Sequence, residues 1–146
     1  MSGAYTNGAY TSGAIAALQA ALAAEQAAVY GYGVAGAHLS GASQATAQQY
    51  WTAHREARDT LTAMIAARGA APVAALAYYD LPFGVTSAAS AALLAANLED
   101  GVTAAYLDLV AVDDASLRNF GALAMQASAQ RASHWRGSTI AFPGLR

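Results

Sequence analysis

Hydrophobic residues recur at intervals of three and four along four stretches of the chain, which is the spacing of one face of an α-helix. Residues that favour helix ends border these stretches. Ser87 and Asp114 precede the third and fourth stretches, and Gly41, Gly69 and Gly137 follow the first, second and fourth. The predicted helices run from about Gly13 to Leu39, Ser43 to Arg68, Ser87 to Val112 and Ala115 to Trp135.

The connections between the predicted helices are short, long and short. The long connection, from Ala70 to Thr86, contains Pro72, Pro82 and Gly84 and should lie against the helices. Short connections join antiparallel neighbours, and one long crossover in the middle is typical of the ferritin-like topology. The pattern therefore predicts an all-α, ferritin-like four-helix bundle with a long crossover between helices two and three.

The start of the chain differs from the rest. Residues 1–12 contain a repeated Gly-Ala-Tyr-Thr and lack helical periodicity. We expect a flexible N-terminal arm there, followed by a single domain over residues 13–146.

Charged residues interrupt the predicted inward stripe of every helix. They are Glu25, His54, Arg58, Glu99, Arg131 and His134. An unpaired ionised group in a dry core costs several kcal/mol, so one shared cluster is more plausible than four separate accidents. We predict a buried polar centre that contains Glu25, His54, Arg58, Glu99 and Arg131. Tyr32 and Tyr106 lie on the same stripes and are expected to pack in the core with a hydroxyl partner.

These positions resemble the metal site of the ferritin-like superfamily, in which helices one and three each give a glutamate and helices two and four each give Glu-x-x-His. Glu25 and Glu99 match the single glutamates, and His54 and His134 match the histidines. Trp51 and Arg131 occupy the two remaining glutamate positions. The resemblance thus implies a degenerate di-iron site.

The chain more closely resembles a bacterial family of ferritin-like domains of unknown function. The resemblance extends from about Gly13 to the C-terminus and implies a fold but no activity. The matching segments are Glu25 with Tyr30-Gly31-Tyr32-Gly33, His54-Arg55-x-x-Arg58-Asp59, Gly69-Ala70 with Pro72, Tyr79-x-Leu81-Pro82-Phe83, Leu98-Glu99, Tyr106, Leu117-Arg118, Trp135-Arg136-Gly137 and Phe142-Pro143-Gly144-Leu145.

Two interpretations of the centre remain open. In the first, Arg58 and Arg131 neutralise Glu25 and Glu99 through forked hydrogen bonds, and the protein needs no cofactor. In the second, iron or manganese binds the reduced set of ligands and supports oxidoreductase chemistry. That set is Glu25, His54, Glu99 and His134. Guanidinium groups at the centre would repel a divalent ion, which favours the first interpretation.

No catalytic residue is assigned. His54 could form an acid–base group with Glu56 and Asp59, but both acids belong on the solvated side of helix two. The sequence therefore favours a binding or interaction module over an enzyme, with an unknown small molecule or protein as its ligand.

Composition limits the classes of binding partner and the cellular location that we expect for this protein. Cysteine is absent, so any metal must use oxygen or nitrogen ligands. The net charge is −2 without a run of Lys or Arg, which argues against nucleic acid. Neither a signal peptide nor a membrane span is predicted, so we expect a cytoplasmic protein without a membrane partner. Charged residues make up 11% of the chain, against about 25% in a typical soluble domain. So little surface charge predicts a homodimer.

Overall fold

The computed structural model describes residues 3–145 and the side chains of residues 13–145. This part of the chain forms four helices and no strand. The helices are α1 (Gly3–Gly36), α2 (Gly41–Ala67), α3 (Ala88–Val110) and α4 (Ala115–Arg136). The predicted all-α four-helix bundle with a long crossover between its second and third helices is confirmed.

The first helix begins earlier than predicted. The backbone is helical from Gly3, whereas the sequence predicted a start at about Gly13 and a non-helical arm before it. Met1 and Ser2 lie outside the described residues. The flexibility of residues 1–12 stays a prediction.

The other helix ends follow local chemistry. Ser87 accepts a hydrogen bond from the backbone N–H of Ser90, whose hydroxyl in turn accepts from the backbone N–H of Ser87. Asp114 accepts hydrogen bonds from the first-turn amides of α4. Gly137, with φ of 77°, closes α4 in the left-handed conformation that glycine adopts at little cost.

The helices pack in a chain of contacts in which α2 lies against α1, α1 against α3, and α3 against α4. Small residues allow close approach. A Cβ on Gly31 of α1 would lie 2.8 Å from Leu98 Cδ2 of α3, and one on Gly121 of α4 would lie 3.1 Å from Leu109 Cβ. Alanine and glycine at these contacts thus determine which faces meet.

Two apolar clusters fill the interior. One contains Leu18, Leu22, Leu61, Ile65 and Leu109. The other contains Tyr32, Ala35, Ala47, Leu94 and Ala95. Among the buried polar residues, Glu25 on α1, His54 on α2 and Glu99 on α3 lie where the two clusters meet.

The crossover, residues 68–87, is fastened to α1 by two glutamines. Gln19 donates to Ala71 O at 2.7 Å and accepts from Val73 N at 2.7 Å. Gln26 donates to Val73 O at 2.9 Å. These bonds satisfy backbone groups that have no helical partner. Within residues 3–145, no helix combines the length and the apolarity that crossing a bilayer requires.

Candidate functional site

A histidine on α2 lies between two glutamates on α1 and α3. His54 Nδ1 is 2.6 Å from Glu25 Oε2, and His54 Nε2 is 2.9 Å from Glu99 Oε1. The second distance lies within the usual range for charge-assisted N–H···O bonds, about 2.7–2.9 Å, and the first is slightly shorter. None of the three side chains is more than 3% exposed. We call Glu25, His54 and Glu99 the central triad, which joins three helices through one imidazole ring.

Two tyrosines bind the triad, and each reaches the glutamate of the opposite helix. Tyr106 on α3 donates to Glu25 Oε1 at 2.8 Å, and Tyr32 on α1 donates to Glu99 Oε1 at 2.6 Å. The two pairs run in opposite directions along the helices, so α1 and α3 are antiparallel. In each helix the tyrosine follows the glutamate by seven residues, which is about two turns. This repeated spacing is the sequence signal that could have predicted the crossed pairs.

The fourth helix joins the network through an indole. Trp135 Nε1 donates to the hydroxyl oxygen of Tyr32 at 2.8 Å, and Tyr32 donates onward to Glu99. Trp135 is not among the residues that the sequence predicts for the buried polar centre. A continuous hydrogen-bonded chain therefore runs from α4 through Tyr32 and Glu99 to His54 and then to Glu25.

The two glutamates favour the protonated, positively charged form of the His54 imidazole. Burial alone would lower the pKa of His54, but the hydrogen bonds and negative charges of Glu25 and Glu99 outweigh it and raise this pKa to about 9. His54 is therefore an imidazolium at neutral pH, and both of its ring nitrogens donate.

The tyrosines stay neutral. Burial and the adjacent glutamate charges raise the pKa of Tyr32 and of Tyr106, whereas the more distant charge of Arg131 acts on both in the opposite direction. Both hydroxyls consequently remain donors to the carboxylates.

One oxygen of the triad has no partner. Glu99 Oε2 is buried and accepts no hydrogen bond from the described residues. Both oxygens of Glu25, in contrast, are bonded.

The predicted pairing of the arginines with the glutamates is wrong. Arg58 is half-buried and pairs with Asp59 on its own helix, with Nη2 2.8 Å from Asp59 Oδ1. Arg131 is also half-buried and places its guanidinium 5.4 Å from the ring centre of Tyr50. Neither arginine forms an ion pair with Glu25 or Glu99, and His54 supplies the positive charge instead.

A shift of one residue in the buried face of α4 explains part of this error. Beyond Leu117, the sequence predicted that Arg131 points inward. The buried residues are instead Gly121, Ser128 and Ala132. Because small side chains let α4 approach α3 closely, the small residues of α4 are buried at this contact. Arg131 therefore lies beside the contact rather than within it.

The ligand set implied by the ferritin-like resemblance does not converge. His134 is exposed and makes edge contacts with Tyr50 and Trp135, with ring centres 5.9 and 5.1 Å apart. One ion cannot bind both nitrogens of an imidazole, yet Glu25 and Glu99 lie at opposite nitrogens of His54. Across the described side chains, no three histidine or acidic groups surround one point as metal ligands would. The acids considered for catalysis, Glu56 and Asp59, are exposed.

A surface groove between α1 and α2 reaches the network. Its volume is about 330 Å³, and Gly33, Gly36, Gln48 and Trp51 contribute to its lining. A Cβ on Gly33 or Gly36 would meet no atom within 4 Å, so these glycines leave the groove open. Tyr32 also lines the groove and carries the hydroxyl that binds Glu99. Tyr32 thus connects the wall of the groove to the triad.

Fold and site together define an all-α four-helix bundle with a buried Glu–His–Glu cluster. The chain belongs to the family described as domain of unknown function DUF4439, whose model matches residues 17–146. It is also similar to a conserved hypothetical protein, rv2844, from Mycobacterium tuberculosis, known from a crystal structure. The two chains share 36% sequence identity with a TM-score of 0.83, over 86% of this chain and 96% of that chain. No curated protein matches this chain.

Proposed function

We propose that this chain is a ferritin-like bundle that acts as a metal-free binding or interaction module rather than as an enzyme. One observation carries the proposal: both ring nitrogens of His54 are hydrogen-bonded to carboxylates. A metal ligand must offer a free lone pair, which an imidazolium lacks. The order of short, long and short connections and the antiparallel α1 and α3 support the ferritin-like assignment.

In this proposal the triad has a structural task. Polar groups from three helices satisfy each other in only one relative arrangement, so the network can select one packing of alanine-rich helices that would otherwise slide. Alanine faces specify register poorly because they carry few distinct knobs and holes. The triad would supply that missing specificity.

The metal-free claim can be tested by elemental analysis of protein purified without chelator, followed by anaerobic Fe(II) titration with an optical readout. We expect well under one metal ion per chain and no spectral change. A His54→Gln variant provides the matched control, because it removes the imidazolium and leaves both glutamates in place. Stoichiometric iron or manganese in the wild type, lost in this variant, would overturn the proposal.

A small metal-binding oxidoreductase is the second candidate. The unpartnered Glu99 Oε2 favours it, because a buried carboxylate oxygen without a donor is a suitable ligand for a cation. This candidate requires His54 to lose its proton and one of its hydrogen bonds when iron or manganese binds. Metal uptake should then release protons, which a pH-stat titration during Fe(II) addition would detect.

We place small-molecule binding in the groove between α1 and α2. Its lining contains amide and aromatic groups but no charged side chain. These groups suit a neutral, planar molecule that bears an amide, which could pack on aromatic rings and bond with Gln48. Its volume falls within the usual range for ligand sites, about 300–1,000 Å³.

Benzamide is a suitable probe of this groove. A concentration of about 10 mM is appropriate because small ligands bind weakly. In protein isotope-labelled at its tryptophan indoles, benzamide should shift the N–H resonance of Trp51, which lines the groove, more than that of Trp135. The Gly33→Leu variant should abolish the shift because its side chain fills the groove. Equal shifts in the wild type and this variant would exclude binding at this place.

A further inference from the structure

The crossover and the C-terminal tail flank α3 and expose a shared apolar surface. A cavity of about 490 Å³ between crossover and helix is lined by Leu76, Tyr78 and Asn97. A second cavity of about 230 Å³, under the tail, is lined by Asn97, Ile140 and Leu145. Asn97 belongs to both walls, so the two cavities are neighbours. Leu93 lies one helical turn before Asn97 on α3, and Phe142 lies between Ile140 and Leu145 in the tail. We call six exposed apolar residues of this region the α3 face: Leu76, Tyr78, Leu93, Ile140, Phe142 and Leu145.

The α3 face carries little charge. Residues 70–86 and 137–145 contain one charged residue, Asp80. Asp100, on the floor of the second cavity, forms an ion pair with Arg136. A surface of this kind lacks the charges that would attract nucleic acid, an anionic membrane or a strongly charged protein. It also does not repel an identical surface strongly.

The size of the face suits a protein interface. Its six large side chains are 42–70% exposed. Together they present on the order of 600 Å² if a full large side chain presents roughly 150–250 Å². That lies at the upper end of the largest apolar patch on a typical monomer, about 300–600 Å². With a polar rim it approaches the roughly 800 Å² that each partner buries in a standard interface.

We propose that the α3 face binds a second copy of this chain in a two-fold symmetric dimer. The face contains both protruding side chains and cavities, which a self-complementary interface requires. Tyr78 and Phe142 protrude most, at 66% and 70% exposure. In the dimer, protruding rings of one copy enter the cavities of the other, where buried aromatic residues contribute most of the affinity. The inference deepens the interaction role proposed above but does not involve the triad, so either can fail without the other.

Sedimentation of the full chain over a concentration series tests the dimer. The wild type should sediment as a dimer, and Leu93→Glu should raise the dissociation constant by at least about tenfold, because it places a charge within the buried face. Leu123→Glu is the matched control, since Leu123 on α4 is 58% exposed, against 59% for Leu93, and does not belong to the α3 face. This control should remain dimeric.

A second variant distinguishes loss of the interface from loss of the fold. Tyr78→Ser changes the opposite side of the face and should also dissociate the dimer, while circular dichroism reports an unchanged helix content. The inference is overturned by a monomeric wild type, by dimers that survive both Leu93→Glu and Tyr78→Ser, or by equal loss in Leu123→Glu. A monomeric wild type that binds neutral phosphatidylcholine vesicles would assign the face to lipid and also overturn it.

Discussion

Tyr32 on α1 and Tyr106 on α3 each donate a hydrogen bond to the glutamate of the other's helix. The two bonds form a crossed pair, and His54 on α2 is hydrogen-bonded to the same two carboxylates. The arrangement gives α1 and α3 equivalent roles around one imidazole. Its physical consequence is that each member of the network depends on partners from other helices.

Removal of the imidazole should destabilise the fold strongly. His54→Ala leaves two buried carboxylates without their shared cation, so we expect a loss of about 3–5 kcal/mol in the free energy of unfolding. Urea denaturation measures this change. His38→Gln, at an exposed histidine, should change stability by no more than about 0.5 kcal/mol. Similar small losses in both variants would show that the triad is not a charge network.

Stability should fall as the solution becomes alkaline. The pKa of His54 is raised from 6.5 to about 9 in the folded chain. A raised folded pKa means that the native state holds the proton more tightly, so its contribution is complete below about pH 6.5 and is lost as the pH rises through 9. The loss should total about 3 kcal/mol.

Urea denaturation at several pH values between about 6 and 11 checks this dependence. The His54→Gln variant should lack this decline between pH 6.5 and 9. Above pH 10 the raised pKa values of Tyr32 and Tyr106 should cause a further loss in both proteins, because the unfolded chain then releases protons that the native chain retains. A wild-type curve that is flat up to pH 9 is incompatible with a charged His54.

The two crossed tyrosines should differ in cost. Tyr106→Phe removes one donor from Glu25 and should cost about 1–3 kcal/mol. Tyr32→Phe should cost more, since it removes a donor from Glu99 and also the acceptor of Trp135 Nε1. Tyr78→Phe is the control and should be nearly neutral, because it keeps the ring that belongs to the α3 face and changes only the hydroxyl group. Chemical denaturation gives the order, and a larger cost for Tyr106→Phe would contradict the network as described.

A pair of glycines in α1 tests the close approach of α1 and α3. Gly31→Ala should destabilise by about 1–3 kcal/mol because its Cβ would overlap the side chain of Leu98. Gly33→Ala should instead stabilise by up to about 1 kcal/mol, since alanine favours helix and nothing lies within 4 Å of the new atom. Melting curves of both variants provide the measurement. Equal effects would mean that the two helices are not in tight contact at Gly31.

Helical periodicity was sufficient to predict that the triad residues point inward, but not which side chains form pairs with one another. Glu25, His54 and Glu99 fall on three-and-four spaced stripes, so their inward direction could be predicted. Arg58 falls on the same stripe, yet its long side chain extends to Asp59 at the surface. Spacing along one helix does not show how far a flexible side chain reaches.

The faces of α4 could not be predicted from hydrophobicity alone. Close approach of α3 and α4 selects small residues such as Gly121 and Ala132 for the contact, whereas the stripe predicted from the sequence placed Arg131 there. The start of α1 at Gly3 was also not predicted from the sequence. Its Gly, Ser and Thr residues have weak helix propensity, and propensity is only a weak guide to the structure a segment adopts.

The ionisation state of His54 tests the central claim most directly. Nitrogen-15 NMR of histidine-labelled protein at pH 7 should show one histidine with both ring nitrogens protonated, a titration midpoint near pH 9, and no change on addition of one equivalent of Zn(II). Its absence in the His54→Gln variant assigns the signal. A His54 ring with one unprotonated nitrogen at pH 7, whose resonance moves stoichiometrically with Zn(II), would contradict a metal-free, charge-bridged centre.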